Sequence, residues 1–412
     1  MKVTAPRQPS KRKRPSPRAE ERATDLERRR ELGQFFTPQP VAEVMWDVLE
    51  TLHGGAFPSH ASLIDPACGD GVFLRVARER GRLDPAGLFG TDIDPALEPG
   101  WHADPVLRSA QLHQVNGLLD APGFGIQERS FDVVAGNPPF SGKGLRELLR
   151  LLEEDREANR DEERDLFGLP VPGQSRGHTG QPLSRSERAD LDKLARRLCE
   201  YACWRMNAAP DDDTATAAPP DNDTPDLLAG LALNDRPRPT VSDCERSAHL
   251  IRQWPAGRLL DVSRPEIREV IGRLASTAVE VFFTERFLRL AKPGGLIAVI
   301  VPESIAASER LSPLRRWLTG RMDLLMVVGL PQRVFTGVGA NARTTILFAR
   351  RRLQERPEGW WLQPQETLPD AGRSVRLTAP QIEAPNWSLQ AYLDGVLQSV
   401  RAKQASARPT AK

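Results

Sequence analysis

The 412-residue chain reads as an α/β protein, a Rossmann-like, mostly parallel sheet with helices on both faces. Three observations predict this. Short apolar runs alternate with helix-periodic segments from about residue 39 to 140, and again beyond 276. The run Ser62-Leu63-Ile64 ends in Asp65 and a glycine-spaced turn, Asp65-Pro66-Ala67-Cys68-Gly69-Asp70-Gly71-Val72-Phe73. A second run, Leu88 to Asp92, again closes on carboxylates, Asp92 and Asp94.

The elements follow in order. Residues 1–30 carry eleven Lys or Arg against four Asp or Glu, with the cluster Lys11-Arg12-Lys13-Arg14. Such a block predicts a disordered basic tail, either simply solvated or adding sequence-independent phosphate contacts. Asp25 to Leu32 reads as a short charged helix leading into Gly33-Gln34-Phe35-Phe36-Thr37-Pro38. Pro40 opens a helix whose apolar positions Val41, Val44, Met45, Val48 and Leu49 recur at helical spacing. After the glycine turn a helix is predicted from about Val72 to Arg80, and Phe131 to Ala135 is a further strand.

The pattern then breaks. Residues 141–275 read as an insertion, helix-prone and charged at first. Residues 207–240, rich in Asp, Pro, Ala and Thr, bury too little apolar surface to offset chain entropy. The core resumes over 276–352. A helix from about Ser276 to Ala291 ends at Lys292-Pro293-Gly294-Gly295, and Leu296 to Val301 is a fully buried strand. Further strands are expected at Leu324 to Val328 and Thr344 to Ala349. In the extension, 353–412, only Trp387 to Val400 reads as helical.

Composition narrows the classes. Net charge is only +2, so no overall field draws the chain to polyanions. Four scattered cysteines (Cys68, Cys199, Cys203, Cys244) form no disulfide framework, which suits a reducing cytosol. Cys199 and Cys203 lie four apart without a second ligand pair, so no metal site is expected. No apolar stretch reaches the ~18 residues of a membrane span, and a cytoplasmic protein without membrane contact is expected.

The chemistry sits at strand ends. The turn after Asp65 makes a nucleotide-sized notch, but its spacing is not G-x-G-x-x-G and no Walker lysine follows. A carboxylate at Asp92 is placed to accept hydrogen bonds from ribose hydroxyls. At the end of the strand from Phe131 stands Asn137-Pro138-Pro139-Phe140. An amine conjugated to an aromatic ring is a poor nucleophile because its lone pair is delocalised. The Asn137 side-chain oxygen and the Pro138 carbonyl would accept its two hydrogens and favour a pyramidal nitrogen. The prolines fix both acceptors, and Phe140 offers a stacking face. In isolation the tetrapeptide reads better as a proline-rich turn closing a strand.

Taken together, Gly33 to Pro38, Asp65 to Phe73, Asp92 to Asp94 and Asn137 to Phe140 resemble, in order, the motifs of the N6-adenine DNA methyltransferases. The likeness extends to modification subunits of type I restriction-modification systems and related methylases, over roughly 32–140 and 276–350. It implies the class I S-adenosylmethionine-dependent methyltransferase fold, S-adenosylmethionine as cofactor, and methyl transfer to N6 of a flipped-out adenine in restriction-modification or phage defence. It implies catalytic roles for Asn137, Pro138, Pro139 and Phe140. It implies cofactor contacts from Phe35, Phe36, Thr37, Asp65, Ala67, Gly69, Gly71, Asp92, Ile93 and Asn116. Asn116 stands where family members often carry an acidic residue holding the cofactor's adenine amine. Phe335 falls where the family faces the extruded base, or is a core aromatic. Arg343, Arg350, Arg351 and Arg352 read as phosphate contacts or a solvated strand end. DNA is the expected partner; either 141–273 touches it or a separate specificity subunit reads the sequence. Methylation of a protein glutamine or RNA base, and a non-catalytic assembly subunit, are the alternatives.

Overall fold

The structure, a computed structural model, describes residues 35–140, 145–152, 183–206, 240–335, 343–356, 375–377 and 388–407. The basic tail, the helix expected over 25–32, Gly33, Gln34 and most of the Asp/Pro/Ala/Thr-rich stretch lie outside the described residues.

Helix α1 (Gln39–His53) starts where Pro38 and Pro40 fix an N-terminal turn, and it buries the expected apolar stripe. Gly54 ends it in the left-handed conformation, donating its N–H to Glu50 and Thr51. Then follow β1 (Leu63–Asp65), α2 (Val72–Glu79), β2 (Leu88–Asp92), α3 (Glu98–Ala103), β3 (Gln111–Gln114) and β4 (Phe131–Gly136). Helices α4 (Arg185–Leu198) and α5 (Val241–Arg252) each open with a capping box, Ser184 with Glu187 and Thr240 with Asp243. After α6 (Pro265–Ser276) and α7 (Val279–Leu290) come β5 (Ala291–Pro302), α8 (Glu303–Ala307), α9 (Ser312–Thr319), β6 (Met322–Leu330), β7 (Thr344–Arg351), β8 (Val375–Leu377) and α10 (Leu389–Ala407).

The strands form one sheet in the order β3-β2-β1-β4-β5-β7-β6-β8. β7 runs antiparallel to both of its neighbours, and the remaining pairings are parallel. The expected fold class is therefore observed. The chain builds outward from β1 to β3, then returns to place β4 on the other side of β1. Their carboxyl ends open a crevice at this reversal, where open α/β sheets bind ligands.

Alternation along β5 divides the core. Ile297, Val299 and Val301 face one apolar layer, and Leu296, Ala298 and Ile300 face the other. The second layer is covered by α1, α2 and α10. The first is covered by α4, α6 and α7 and includes Leu148, Tyr201 and Trp204. The described parts of 141–275 are thus packed on the sheet rather than standing off it. Two boundaries differ from expectation. Lys292 to Gly295 does not separate helix from strand, because β5 already starts at Ala291; a register shift opposite, between Phe131 and Val133, absorbs the irregular glycine segment. Beyond Arg352 a short strand, β8, pairs with β6 as well as the helix. Three residues without a long apolar run leave no readable strand signal.

Charged bonds tie α7 to the loop after β3. Arg286 is fully buried. Its Nε donates to the Gly117 carbonyl (2.8 Å), Nη2 to the Leu119 carbonyl (2.6 Å), and Nη1 pairs with Asp120 (2.7 Å). Tyr201 donates its hydroxyl to the Leu118 carbonyl at 3.0 Å. Removing one member of a buried charged network orphans the others. Arg286→Met is expected to lower stability by about 3 kcal/mol in urea unfolding, towards the lower end for a buried pair because Asp120 also reaches water and Arg197.

Candidate active site

A cleft of about 1100 Å3, including its open mouth, lies at the carboxyl ends of β1, β2 and β4. It runs between the two apolar layers. Phe35, Phe36, Thr37, Asp65, Ala67, Gly69, Asp92, Ile93, Asn116, Asn137 and Pro139, all selected from the sequence, line it together. Gly71, Pro138 and Phe140 are not part of its lining.

The floor is built by carboxylates holding backbone. Asp65 is buried, and its Oδ1 accepts the Ala67 N–H at 3.0 Å. A Cβ at Gly136 would overlap that carboxylate, so glycine at the end of β4 is what lets Asp65 lie between the strands. Asp92 takes the Gly69 N–H on Oδ2 (2.9 Å) and the Asp94 N–H on Oδ1 (3.0 Å), pinning the glycine turn to the end of β2. Gly71 (φ 82°) is the left-handed residue before α2, and a Cβ there would overlap Leu107; its role is to shape the turn. Trp101 of α3 donates its indole N–H to the Gly69 carbonyl at 2.8 Å. The sequence reading missed this clamp, since no local pattern links Trp101 to the turn.

Burial pushes the Asp65 carboxyl well above the ordinary carboxylate range, and the nearby Asp92 and Asp70 charges add to the shift, against the Ala67 N–H. A group so placed gains from a cation in the cleft.

At the end of β4, the Asn137 amide donates Nδ2–H to the Phe35 carbonyl at 2.8 Å. That bond fixes which way the amide lies. Its Oδ1 is consequently a buried acceptor with no hydrogen-bond partner. The Thr37 hydroxyl, also lining the cleft, is likewise buried and unpartnered. Buried polar atoms are rarely left so, and both belong to the walls of one cleft. Phe140 stacks on Phe35, with ring centroids 5.4 Å apart and planes at 28°. Its ring is thus covered on that side by the segment preceding α1.

The fold decides between the two readings of Phe335, and it gives Arg350 to Arg352 and Asn116 internal partners. Phe335 is fully buried in the layer under α1, a core aromatic. Arg350 bonds the Leu52 carbonyl, Arg351 bonds Glu355 and the Leu288 carbonyl, and Arg352 pairs with Asp323. These three guanidinium groups are tied down within the fold. Asn116 Oδ1 accepts the Leu118 N–H at 3.0 Å, so it shapes its own turn. Leu145, Glu147, Val279 and Phe283 also line the cleft; they lie outside the motifs, and only the folded packing of α7 and of the turn at Arg146–Leu148 brings them there. Cys199 and Cys203 are buried among apolar side chains, and burial raises both thiols. Among the described residues no helix is long and apolar enough to cross a membrane.

Residues 23–167 match the model of the N-6 DNA Methylase family. The type I restriction enzyme MjaIX methylase subunit of Methanocaldococcus jannaschii is 28% identical over 115 residues, 26% of this chain and 19% of that protein. The type II methyltransferase M.TthHB8I of Thermus thermophilus is 34% identical over 113 residues, 27% of this chain and 22% of that protein. The matched stretch therefore spans only about a fifth of either relative. Among solved structures, the type I restriction-modification methyltransferase subunit of Streptococcus thermophilus superposes with a TM-score of 0.41 at 15% identity, covering 90% of this chain and 53% of that one.

Asp65 carries a pH signature. With its carboxyl pKa raised in the folded state, its contribution favours folding at low pH and is lost as pH rises from the unfolded Asp value (~3.9) through the folded one. Asp65→Asn should therefore melt higher than wild type at neutral pH, the gap shrinking towards about pH 4. Thermal unfolding across that range measures it, and an unchanged difference would contradict the assigned burial.

Proposed function

We propose that this chain transfers a methyl group to the N6 amine of an adenine in DNA, with S-adenosylmethionine as methyl donor, as part of a restriction-modification system. The observation that carries the reading is the Asn137 oxygen, a buried acceptor without a partner on the wall of the cleft that also holds the glycine turn. The N-6 DNA methylase match over 23–167 supports the same chemistry.

The residues present fit the cofactor. Thr37 offers an unpartnered hydroxyl, the Asp92 carboxylate lines the cleft at the end of β2 where ribose hydroxyls would lie, and Ile93, half-exposed on the cleft, offers an apolar face for a purine. Asp65 supplies a carboxylate that a cationic ligand would draw into its charged form. Phe35 and Phe36 would close over the bound molecule, and Ala67, Gly69 and Asn116 complete its walls. When bound, S-adenosylmethionine supplies an electrophilic methyl group.

The protein's own part is positioning. Asn137 Oδ1 and the Pro138 carbonyl accept the two hydrogens of the adenine amine, localising the nitrogen lone pair for attack. Pro138 and Pro139 hold that geometry without further hydrogen bonds. The amine proton leaves after the new bond forms, so no side chain need take it in the transition state. An adenine reaches this position only outside the duplex, at a cost of a few kcal/mol, and stacking on Phe140 requires Phe35 to yield. Sequence choice is assigned to a separate specificity subunit. One relative is by name a subunit, and Arg350 to Arg352 are spent on internal bonds.

Asn137→Ala is expected to lower turnover by about 10²-fold, as for loss of one preorganised transition-state contact. Dissociation of S-adenosylhomocysteine should stay within a few-fold of wild type. Mass-spectrometric quantification of N6-methyladenine in DNA incubated with either protein provides the measurement. Equal methylation by both would refute the mechanism, and methylation of RNA or protein instead of DNA would refute the substrate.

A further inference from the structure

Among the described residues, the cleft holds a carboxylate that neither the reading above nor the bonds of the fold employ. Asp65, Asp70 and Asp92 all bond within the fold, to the Ala67 N–H, to Arg75, and to the Gly69 and Asp94 N–H groups. Glu147 lines the same cleft, yet has no hydrogen-bond or ion-pair partner among the described residues.

Its position is set by packing. Glu147 stands on the short turn Arg146–Leu148, where Leu148 is fully buried and Leu145 lines the cleft. Both leucines belong to the apolar layer that contains Leu118 and Phe283. The turn is therefore anchored on the side of the cleft that carries Asn116 to Leu118. On that side Asn116 offers only a neutral oxygen that already accepts the Leu118 N–H. The loop is itself held by Arg286 and Tyr201, so it presents a fixed wall. Glu147 is exposed at the cleft, and the desolvating effect of the surrounding walls raises its carboxyl above its usual range.

We propose that Glu147 is a specificity-determining residue that accepts a hydrogen bond from the 6-amino group of the cofactor's adenine. The cleft thereby selects a 6-aminopurine through a side chain outside the glycine turn and strand-end motifs. The assignment rests on reading the cleft as the S-adenosylmethionine site. A carboxylate is only an acceptor. It attracts a 6-amino group, which donates, and repels a 6-oxo group, which accepts; discrimination comes from both.

The test is calorimetric binding of S-adenosylhomocysteine and its 6-oxo counterpart, S-inosylhomocysteine, to the full chain and to Glu147→Gln. Wild type should prefer the 6-amino ligand by about tenfold, the worth of one hydrogen bond to a charged group. In Glu147→Gln the preference should fall towards unity, because the new amide can donate to the 6-oxo group. A variant that keeps the wild-type preference overturns this assignment alone. A folded wild-type chain that binds neither ligand overturns the cofactor reading and this assignment with it.

Discussion

The placement of one carboxylate governs the architecture of the cleft. Asp65 ends β1 at the point where the strand order reverses, and it lies in a space that exists because Gly136 has no side chain. That single close approach joins two strands 71 residues apart in the chain (136 − 65 = 71). It brings the glycine turn and the Asn-Pro-Pro-Phe segment to opposite sides of one crevice. The cost is electrostatic, since the carboxyl is kept from water with Asp92 and Asp70 nearby. A neutral residue would suit the fold better.

Around this point the protein divides its work between two layers. The layer under α1 and α2 supports the glycine turn and brings Phe35 to Thr37 across the mouth. The opposite layer, made largely from α4, α6, α7 and the segments near Leu148 and Trp204, holds the loop after β3 through Arg286 and Tyr201. Charged groups fix this second layer as much as apolar contact does: Glu285 caps Ala202 and Cys203 while binding Arg289. Such networks cost desolvation and give orientation in return. Here the orientation is that of a ligand wall.

Much of this was legible in the sequence, and the reasons are physical. β2, α1 and α2 announced themselves by period and by their caps, and the acidic strand ends by their place before glycine or at a run's close. Residues whose place in the cleft follows from the strand they terminate, such as Asp65, Asp92 and Asn137, could be picked out for that reason. Trp101, Glu147, Phe283 and Arg286 were not, because their roles arise from packing between elements far apart in the chain. The charged face of α4 concealed the apolar stripe of Leu191, Leu194 and Leu198 that seats it on the sheet. Phe335 and the arginines after it show the converse case, in which residue type left a ligand role open beside a structural one and the fold supplied an internal partner.

The bond from Asn137 to the Phe35 carbonyl spans 102 positions of the chain and acts as an interlock. An amide presents an oxygen on one side and an NH2 on the other, so rotating it by half a turn exchanges an acceptor for a donor. With the Phe35 carbonyl in place, the oxygen is turned into the cleft as an acceptor. Without that carbonyl, nothing in the bonds of Asn137 among the described residues would distinguish the two orientations. The polarity of this wall is therefore written by the segment that covers it.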